Sequence, residues 1–364
     1  MLNIIFRVDS GNLLGTGHVF RCLNIANIIK NSNIEFICKN FQNNSSYVIQ
    51  KKYKVHLINP SKSSNVNLNI NSWLCDTQLD DAKKTIEIIK NKNIDWLFID
   101  HYNIHKEWED YIRPYVKKIF VIDDYTNRSH NCDILLNQQI ENNKSSLYNN
   151  LLPTNCQLLL GVKYILLKQE YINTSIKRSP IKKLKRINIF MGGGDPSNET
   201  LKIMKICHNL NKKLDNSLIF DIIVGSSNKN KELIETYCQD KKEFNFYYNI
   251  NYMEKVFAQA DLAIGAGGGT SYERCIMKVP TLVICIAENQ KLVLDRFING
   301  GIINYLGDFE SDYEEKLEKH ILYYYENPNE LQKMSDNCNK FLNNNMLKDF
   351  KKNINNILHN GFGN

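Results

Sequence analysis

The chain lacks the cysteine patterns of a disulfide framework or a zinc site: its ten cysteines form no C-x-x-C pair and no Cys/His cluster at metal-ligand spacing. Several, such as Cys38 and Cys285, sit inside apolar runs, where a thiol behaves as a small hydrophobe. That usage points to a reducing, cytoplasmic setting. Long hydrophobic segments are missing too. Arg7 and Asp9 interrupt the first apolar run, which argues against a signal peptide, and the later run Leu282 to Ala287 is far too short to span a bilayer. Basic residues outnumber acidic ones, 46 to 39, yet no Lys/Arg block is dense enough to track nucleic acid. The sequence has neither a P-loop nor a Rossmann fingerprint, which argues against ATP and NAD in their usual modes. It calls for no cofactor, no metal and no obligate protein partner.

What is present is alternation. Buried-strand patterns and helical patterns follow one another along the chain, the signature of parallel α/β units. A length of 364 residues exceeds one typical core. One series of strands runs from Asn3-Phe6 to Asp133-Leu136, and a second opens at Ile187-Phe190. The polar stretch Lys177 to Lys185, with Pro180, separates them and predicts domains over 1–180 and 181–364, the second carrying a helical tail. Two doubly wound Rossmann-like domains facing each other across a cleft is the economical architecture. Ligands of such sheets lie outside the carboxyl ends of the strands. The Asn/Ser-rich stretch 61–72 reads as a surface excursion.

Two strand ends carry the chemistry. After the first strand, Gly15-Thr16-Gly17-His18 forms a strand-to-helix turn, with Val19, Cys22, Leu23 and Ala26 at helical spacing behind it. Glycine admits a substrate close to the backbone there, and an imidazole titrating near neutrality suits a general base. Arg7 and Asp9 just upstream either orient His18 and hold a substrate or pair with each other. Asp100 and Tyr102 end another strand of the same half.

In the second half, Leu262-Ala263-Ile264-Gly265 runs into Ala266-Gly267-Gly268-Gly269-Thr270, where a helix begins. Free N–H groups at such a turn seat an anion, and a bound pyrophosphate would have its departing charge stabilised. Thr270-x-x-Glu273 fits a capping box, while the same Glu273 carboxylate suits the two hydroxyls of a ribose. Spacing leaves both open. The turn Met191-Gly192-Gly193-Gly194-Asp195 repeats the logic, with Ser197 or Asn198 as the expected helix cap. Asn289 and Gln290 end a further strand on the same side.

These motifs together resemble the UDP-sugar hydrolases of pseudaminic acid biosynthesis. The resemblance runs through Phe6-Arg7-Val8-Asp9-Ser10, Gly17-His18-x-x-Arg21-Cys22-Leu23, Ile99-Asp100-His101-Tyr102, Cys132-Asp133-Ile134-Leu135-Leu136-Asn137, the two glycine turns and Ala287-Glu288-Asn289-Gln290, in one order. It implies a glycosyltransferase-B-like fold, similar to the enzyme that adds N-acetylglucosamine to lipid II. It implies that His18 activates water and that Tyr102 lies near the sugar. The residues Gly268, Gly269 and Thr270 would hold the diphosphate and Glu273 the ribose, with Arg7, Asp9, Gly17, Gly193, Asn289 and Gln290 also facing the UDP-sugar. The chain departs from the pattern at Gly194 and Gly269, where relatives often carry serine, and at Tyr272, a frequent Trp. A transferase of the same fold and a non-catalytic nucleotide-sugar binder are the rival readings.

Overall fold

The computed structural model describes residues 1–11, 16–42, 44–61, 73–139, 142–287 and 290–360. Its contacts divide the chain into two compact units, Met1–Leu166 joined by the tail from Asn345, and Leu167–Asn344. Among the described residues no helix is long and apolar enough to cross a membrane. None of the ten cysteines is in a disulfide.

In the first unit the strands are β1 (Leu2–Val8), β2 (Ser32–Lys39), β3 (Lys54–Ile58), β4 (Ile94–Asp100), β5 (Val116–Ile122), β6 (Ile134–Asn137) and β7 (Gln157–Leu160). They form one sheet in the order β3-β2-β1-β4-β5-β6-β7, every pairing parallel. Helices α1 (Gly17–Ala26), α2 (Ser46–Gln50), α3 (Gln78–Ile89) and α4 (Lys106–Ile112) connect them. Parallel strands need crossovers, and helices laid on both faces bury the sheet, so the strands are apolar on both sides. One face packs Phe6, Val8, Phe36 and Phe98 against Val19, Leu23 and Ala26 of α1. The other packs Ile5, Ile37, Leu97 and Ile99 against Ala82, Trp108 and Ile112. Register places Phe36, Phe6, Phe98 and Phe120 side by side across β2, β1, β4 and β5, stacked at 4.8, 4.5 and 4.6 Å. Each such pair adds about 0.5–1.5 kcal/mol beyond simple burial.

The second unit begins with α5 (Gln169–Ser175) and holds β8 (Arg186–Phe190), β9 (Ile219–Val224), β10 (Phe244–Tyr248), β11 (Leu262–Ala266), β12 (Thr281–Cys285) and β13 (Ile303–Asp308). These form a second parallel sheet, ordered β10-β9-β8-β11-β12-β13. Its helices are α6 (Glu199–Lys213), α7 (Lys231–Gln239), α8 (Met253–Gln259), α9 (Thr270–Ile276), α10 (Lys291–Asn299), α11 (Glu314–Glu326) and α12 (Pro328–Phe341). The last helix, α13 (Asn344–Asn360), packs its buried Phe350, Ile354 and Ile357 into the first unit.

Two expectations change. The expected boundary at 180 falls at Leu166, because Tyr171 and Arg178 already contact the second unit through Phe257 and Ala260. Of the helical tail expected with the second domain, the part from Asn345 returns to the first. In each sheet the strand order reverses direction beside the first strand, between β1 and β4 and between β8 and β11. Those switch points are where ligands of open α/β sheets bind.

Candidate functional site

In the first unit the site grows from the end of β4. Trp96 and Phe98 lie on the α1 face of the sheet, and strand alternation turns the Asp100 carboxylate toward α1 as well. Its oxygens take His18 Nδ1 at 2.6 Å, Arg21 Nε at 2.8 Å and Arg21 Nη2 at 2.7 Å. His18 and Arg21 are three residues apart and share one face of α1. Arg21 Nη1 reaches on to both oxygens of Asp124 at 2.9 Å, and Asp124 also accepts the Tyr102 hydroxyl at 2.9 Å. The Tyr102 ring stands edge-on to the imidazole, with centroids 4.6 Å apart. Trp73, Tyr125 and the Arg128 guanidinium surround that ring at 5.9, 5.0 and 5.8 Å.

Burial works against the Asp100 carboxylate, but the adjoining Arg21 and His18 outweigh it and hold its pKa below the usual range. Burial, and next the Asp124 charge, push the Tyr102 phenol well up, so it stays protonated and donates. An ionised Asp100 can only accept, which puts the proton of His18 on Nδ1. Nε2 then carries the lone pair and bonds nothing among the described residues. The imidazole side chain keeps 11% of its surface exposed, enough for a water to reach it. The chemical capacity is that of a base oriented by a buried carboxylate.

Arg7 and Asp9 do not join this group. They lie on the opposite face of the sheet, fully buried, where the Arg7 guanidinium pairs with Asp9 and Asp81. Asp9 also accepts the Lys39 amide at 2.7 Å and lies 3.3 Å from His101 Nε2. The expectation that they hold a substrate gives way to an internal ion network, which leaves neither oxygen nor guanidinium facing outward. Gly17 is exposed at the first position of α1, with open space where a Cβ would stand. Gly15 and most of the 61–72 excursion lie outside the described residues.

In the second unit β11 delivers the loop Gly267–Gly269 to α9. Gly267 N donates to Gln290 Oε1 at 3.1 Å, and the same oxygen takes Ile286 N at 3.1 Å. Gln290 therefore ties the loop to the end of β12. Among the described residues no acceptor is bonded to the amides of Gly268, Gly269 or Thr270. Gly269, not Thr270, is the cap residue of α9, and no side chain caps that helix. The capping box at Thr270 and Glu273 does not form, because Thr270 is the first residue of the helix and not its cap. Instead the Tyr171 hydroxyl of α5 faces the Glu273 carboxyl. Burial pushes that carboxyl up, against the hydrogen bond from Tyr171 and the charges of Lys168 and Arg274.

Gly193 is exposed in the β8 turn, and its carbonyl accepts Ser227 N at 3.2 Å. Asn198, one of the two expected caps, holds the cap position of α6, but its side chain makes no capping bond; the Asp195 carboxylate instead accepts the amides of Glu199 and Thr200 at 2.9 Å each. Asn289 lies outside the described residues. Trp73, Tyr125 and Arg128 carry no signal in the sequence, whereas Arg21 does by its spacing from His18 and Asp124 by its place at a strand end.

Residues 188–354 match the model of the glycosyltransferase family 28 C-terminal domain. The chain is 25% identical over 291 residues to a UDP-2,4-diacetamido-2,4,6-trideoxy-beta-L-altropyranose hydrolase of Campylobacter jejuni, covering 80% of this chain and 94% of the relative. It is 23% identical over 301 residues to the spore coat polysaccharide biosynthesis protein SpsG of Bacillus subtilis, covering 82% of each. MurG of Acinetobacter baumannii superposes with a TM-score of 0.65 at 12% identity, covering 97% of this chain and 99% of that one. The chain has the glycosyltransferase-B α/β fold.

Proposed function

We propose that this protein hydrolyses a UDP-linked diacetamido-trideoxyhexose to the free sugar and UDP. In the first unit His18 Nε2 takes a proton from water as the water oxygen bonds to the anomeric carbon. The bond from that carbon to the UDP oxygen breaks on the opposite side, and its electron pair leaves with UDP. Asp100 holds the tautomer and bears the charge of the imidazolium. Tyr102, fixed by Asp124, faces the sugar. In the second unit the free amides of Gly268, Gly269 and Thr270 take the diphosphate, and Glu273 the ribose. The observation that carries the reading is the 2.6 Å bond from His18 to a buried, ionised Asp100, with Nε2 unbonded among the described residues. The hydrolase name of the Campylobacter relative supports the reaction class and the sugar.

A positioned base is worth about 10²–10⁴-fold. His18→Ala is expected to lose at least that factor in kcat while binding UDP as the unaltered protein does. UDP release at the normal rate from the variant removes His18 from the reaction.

The family 28 match favours a second reading, transfer of the sugar to an acceptor on the same fold. Incubation with nucleotide sugar and no acceptor separates the two. Sustained turnover belongs to the hydrolase, and a requirement for acceptor belongs to the transferase.

A further inference from the structure

Arg274 is 1% exposed and lies beneath the glycine loop of the second unit. Its Nη2 donates to Ala266 O at 2.7 Å and to Ser271 Oγ at 3.1 Å, so it bridges the last residue of β11 and the second residue of α9. The loop Gly267–Thr270 is strung between those two points. A side chain at Gly265 would run into the same guanidinium, which explains a glycine inside a strand whose neighbours are all larger.

What this guanidinium lacks is a counter-charge. Among the described residues no carboxylate lies within ion-pair distance of Arg274, and its buried Nε has no partner. The Glu273 charge favours that of Arg274, but no ion pair joins the two among the described residues, and burial pushes the Glu273 carboxyl up. Burial likewise pulls the Arg274 guanidinium down to about 10. The other fully buried arginine among the described residues, Arg7, is paired with Asp9 and Asp81. A buried, uncompensated cation costs several kcal/mol and is expected only where something repays it.

We infer that Arg274 is the positioning residue of the loop and the buried positive charge that a bound diphosphate neutralises. The inference rests on assigning that loop to the diphosphate. Its two hydrogen bonds fix the span of the loop, and its charge makes the seat favour a ligand with two phosphates over one with none. The charge acts through the loop, without direct contact to the ligand.

Titration of the full chain with UDP, UMP and uridine tests this. Arg274→Met is expected to weaken UDP roughly 30-fold, UMP less, and uridine by under about twofold, the size for losing one charge from a dry site. Arg274→Lys keeps the charge and is expected to retain the preference for UDP over uridine. The ligand-free Met variant is expected to melt within about 3 °C of the parent, since removing an unpaired buried charge offsets the lost hydrogen bonds. Equal losses across the three ligands make Arg274 a purely structural strut and overturn the inference. So does undiminished UDP affinity. If the Met variant does not fold, Arg274→Gln, which keeps a donor for Ala266 and removes the charge, gives the same comparison. Failure of the unaltered protein to bind UDP overturns the nucleotide reading and this inference together, whereas unchanged binding by the variants overturns this inference alone.

Discussion

Asp100 decides what His18 can do. It accepts from the imidazole and twice from Arg21, and Cys22 Sγ lies 3.7 Å from its second oxygen. Asp100→Asn keeps the size but replaces one acceptor oxygen by a donor, which faces a ring N–H or a guanidinium and repels it. The imidazole then turns or changes tautomer, and Nε2 loses its lone pair in the productive position. The expected result is a fall in kcat on the order of 10²–10⁴-fold with UDP affinity retained, read from steady-state kinetics and calorimetric titration. A variant with full turnover would falsify the orienting role. A second buried histidine has a different task. His130 lies between Glu109 Oε1 at 2.6 Å and Asp123 Oδ2 at 3.0 Å, tying α4 to the loop that carries Asp124 and Tyr125. Burial opposes its charge, but Glu109 and Asp123 prevail and push its pKa up to about 9. The ordinary value near 6.5 applies once the chain unfolds. The stabilisation is therefore complete below about pH 6.5 and is lost as pH rises through about 9. Urea midpoints are expected to fall across that window, and His130→Ala to flatten the fall. The variant should also lose roughly 3–5 kcal/mol at pH 7, because the Glu109 carboxylate remains buried without its cation, while Asp123 keeps Arg128.

At the scale of elements, each glycine turn is shaped by a contact from a distant segment. Gly225, just past β9, lies so close to Gly193 that an added Cβ would overlap its backbone. Backbone on both sides leaves no side chain to rotate away. Gly225→Ala is expected to cost about 1–3 kcal/mol and to displace the Gly193 turn. Chemical denaturation measures the cost, and an unchanged midpoint would show that the turn can yield. This contact also marks where the sequence stops being readable. Strands with continuous apolar runs, such as Leu282–Cys285 or Leu262–Gly265, are visible because burial on both faces demands that composition. The helices beside them were visible by periodicity. The edge strands β7 and β13 were not. β7 spans only Gln157–Leu160, and β13 reads Ile-Asn-Tyr-Leu-Gly-Asp with a register shift against β12, so neither shows a clean pattern. At the site, His18, Asp100 and Tyr102 stood out because they end strands or open a helix. Asp124, which locks Arg21 and Tyr102, looked like any acid after a strand. Its role depends on β4 and β5 being neighbours, and that is a property of topology. On α6 the cap position falls at Asn198, as expected, but a different side chain does the capping. Asp195 adopts a left-handed conformation, φ 43°, and so folds its carboxylate back over the helix start ahead of Ser197 and Asn198.

Taken whole, the molecule is two parallel sheets whose chain does not divide cleanly in sequence. That the tail is helical as far as Leu358 is legible, but a helical pattern does not state what covers the apolar face of α13. The answer is the first unit. Phe350 meets the Tyr164 ring at 5.3 Å, Asn355 takes Lys30 N at 2.8 Å and gives to Ile28 O at 2.9 Å, and Trp96 Nε1 donates to Leu358 O at 3.0 Å. The first unit therefore needs the far end of the chain to complete its core, while the second closes before it. Phe350→Ala removes a buried ring, which costs about 3–5 kcal/mol where the site cannot collapse. The loss should be confined to the first unit. All three tryptophans, Trp73, Trp96 and Trp108, belong to that unit, so tryptophan fluorescence follows its unfolding alone. The variant is expected to shift the fluorescence midpoint in urea to lower concentration. The part of the far-ultraviolet circular dichroism transition that belongs to the second unit should keep its midpoint. A fluorescence midpoint that stays in place would mean that the tail merely rests on the first unit. A shift of the whole dichroism curve would mean that the two units unfold as one.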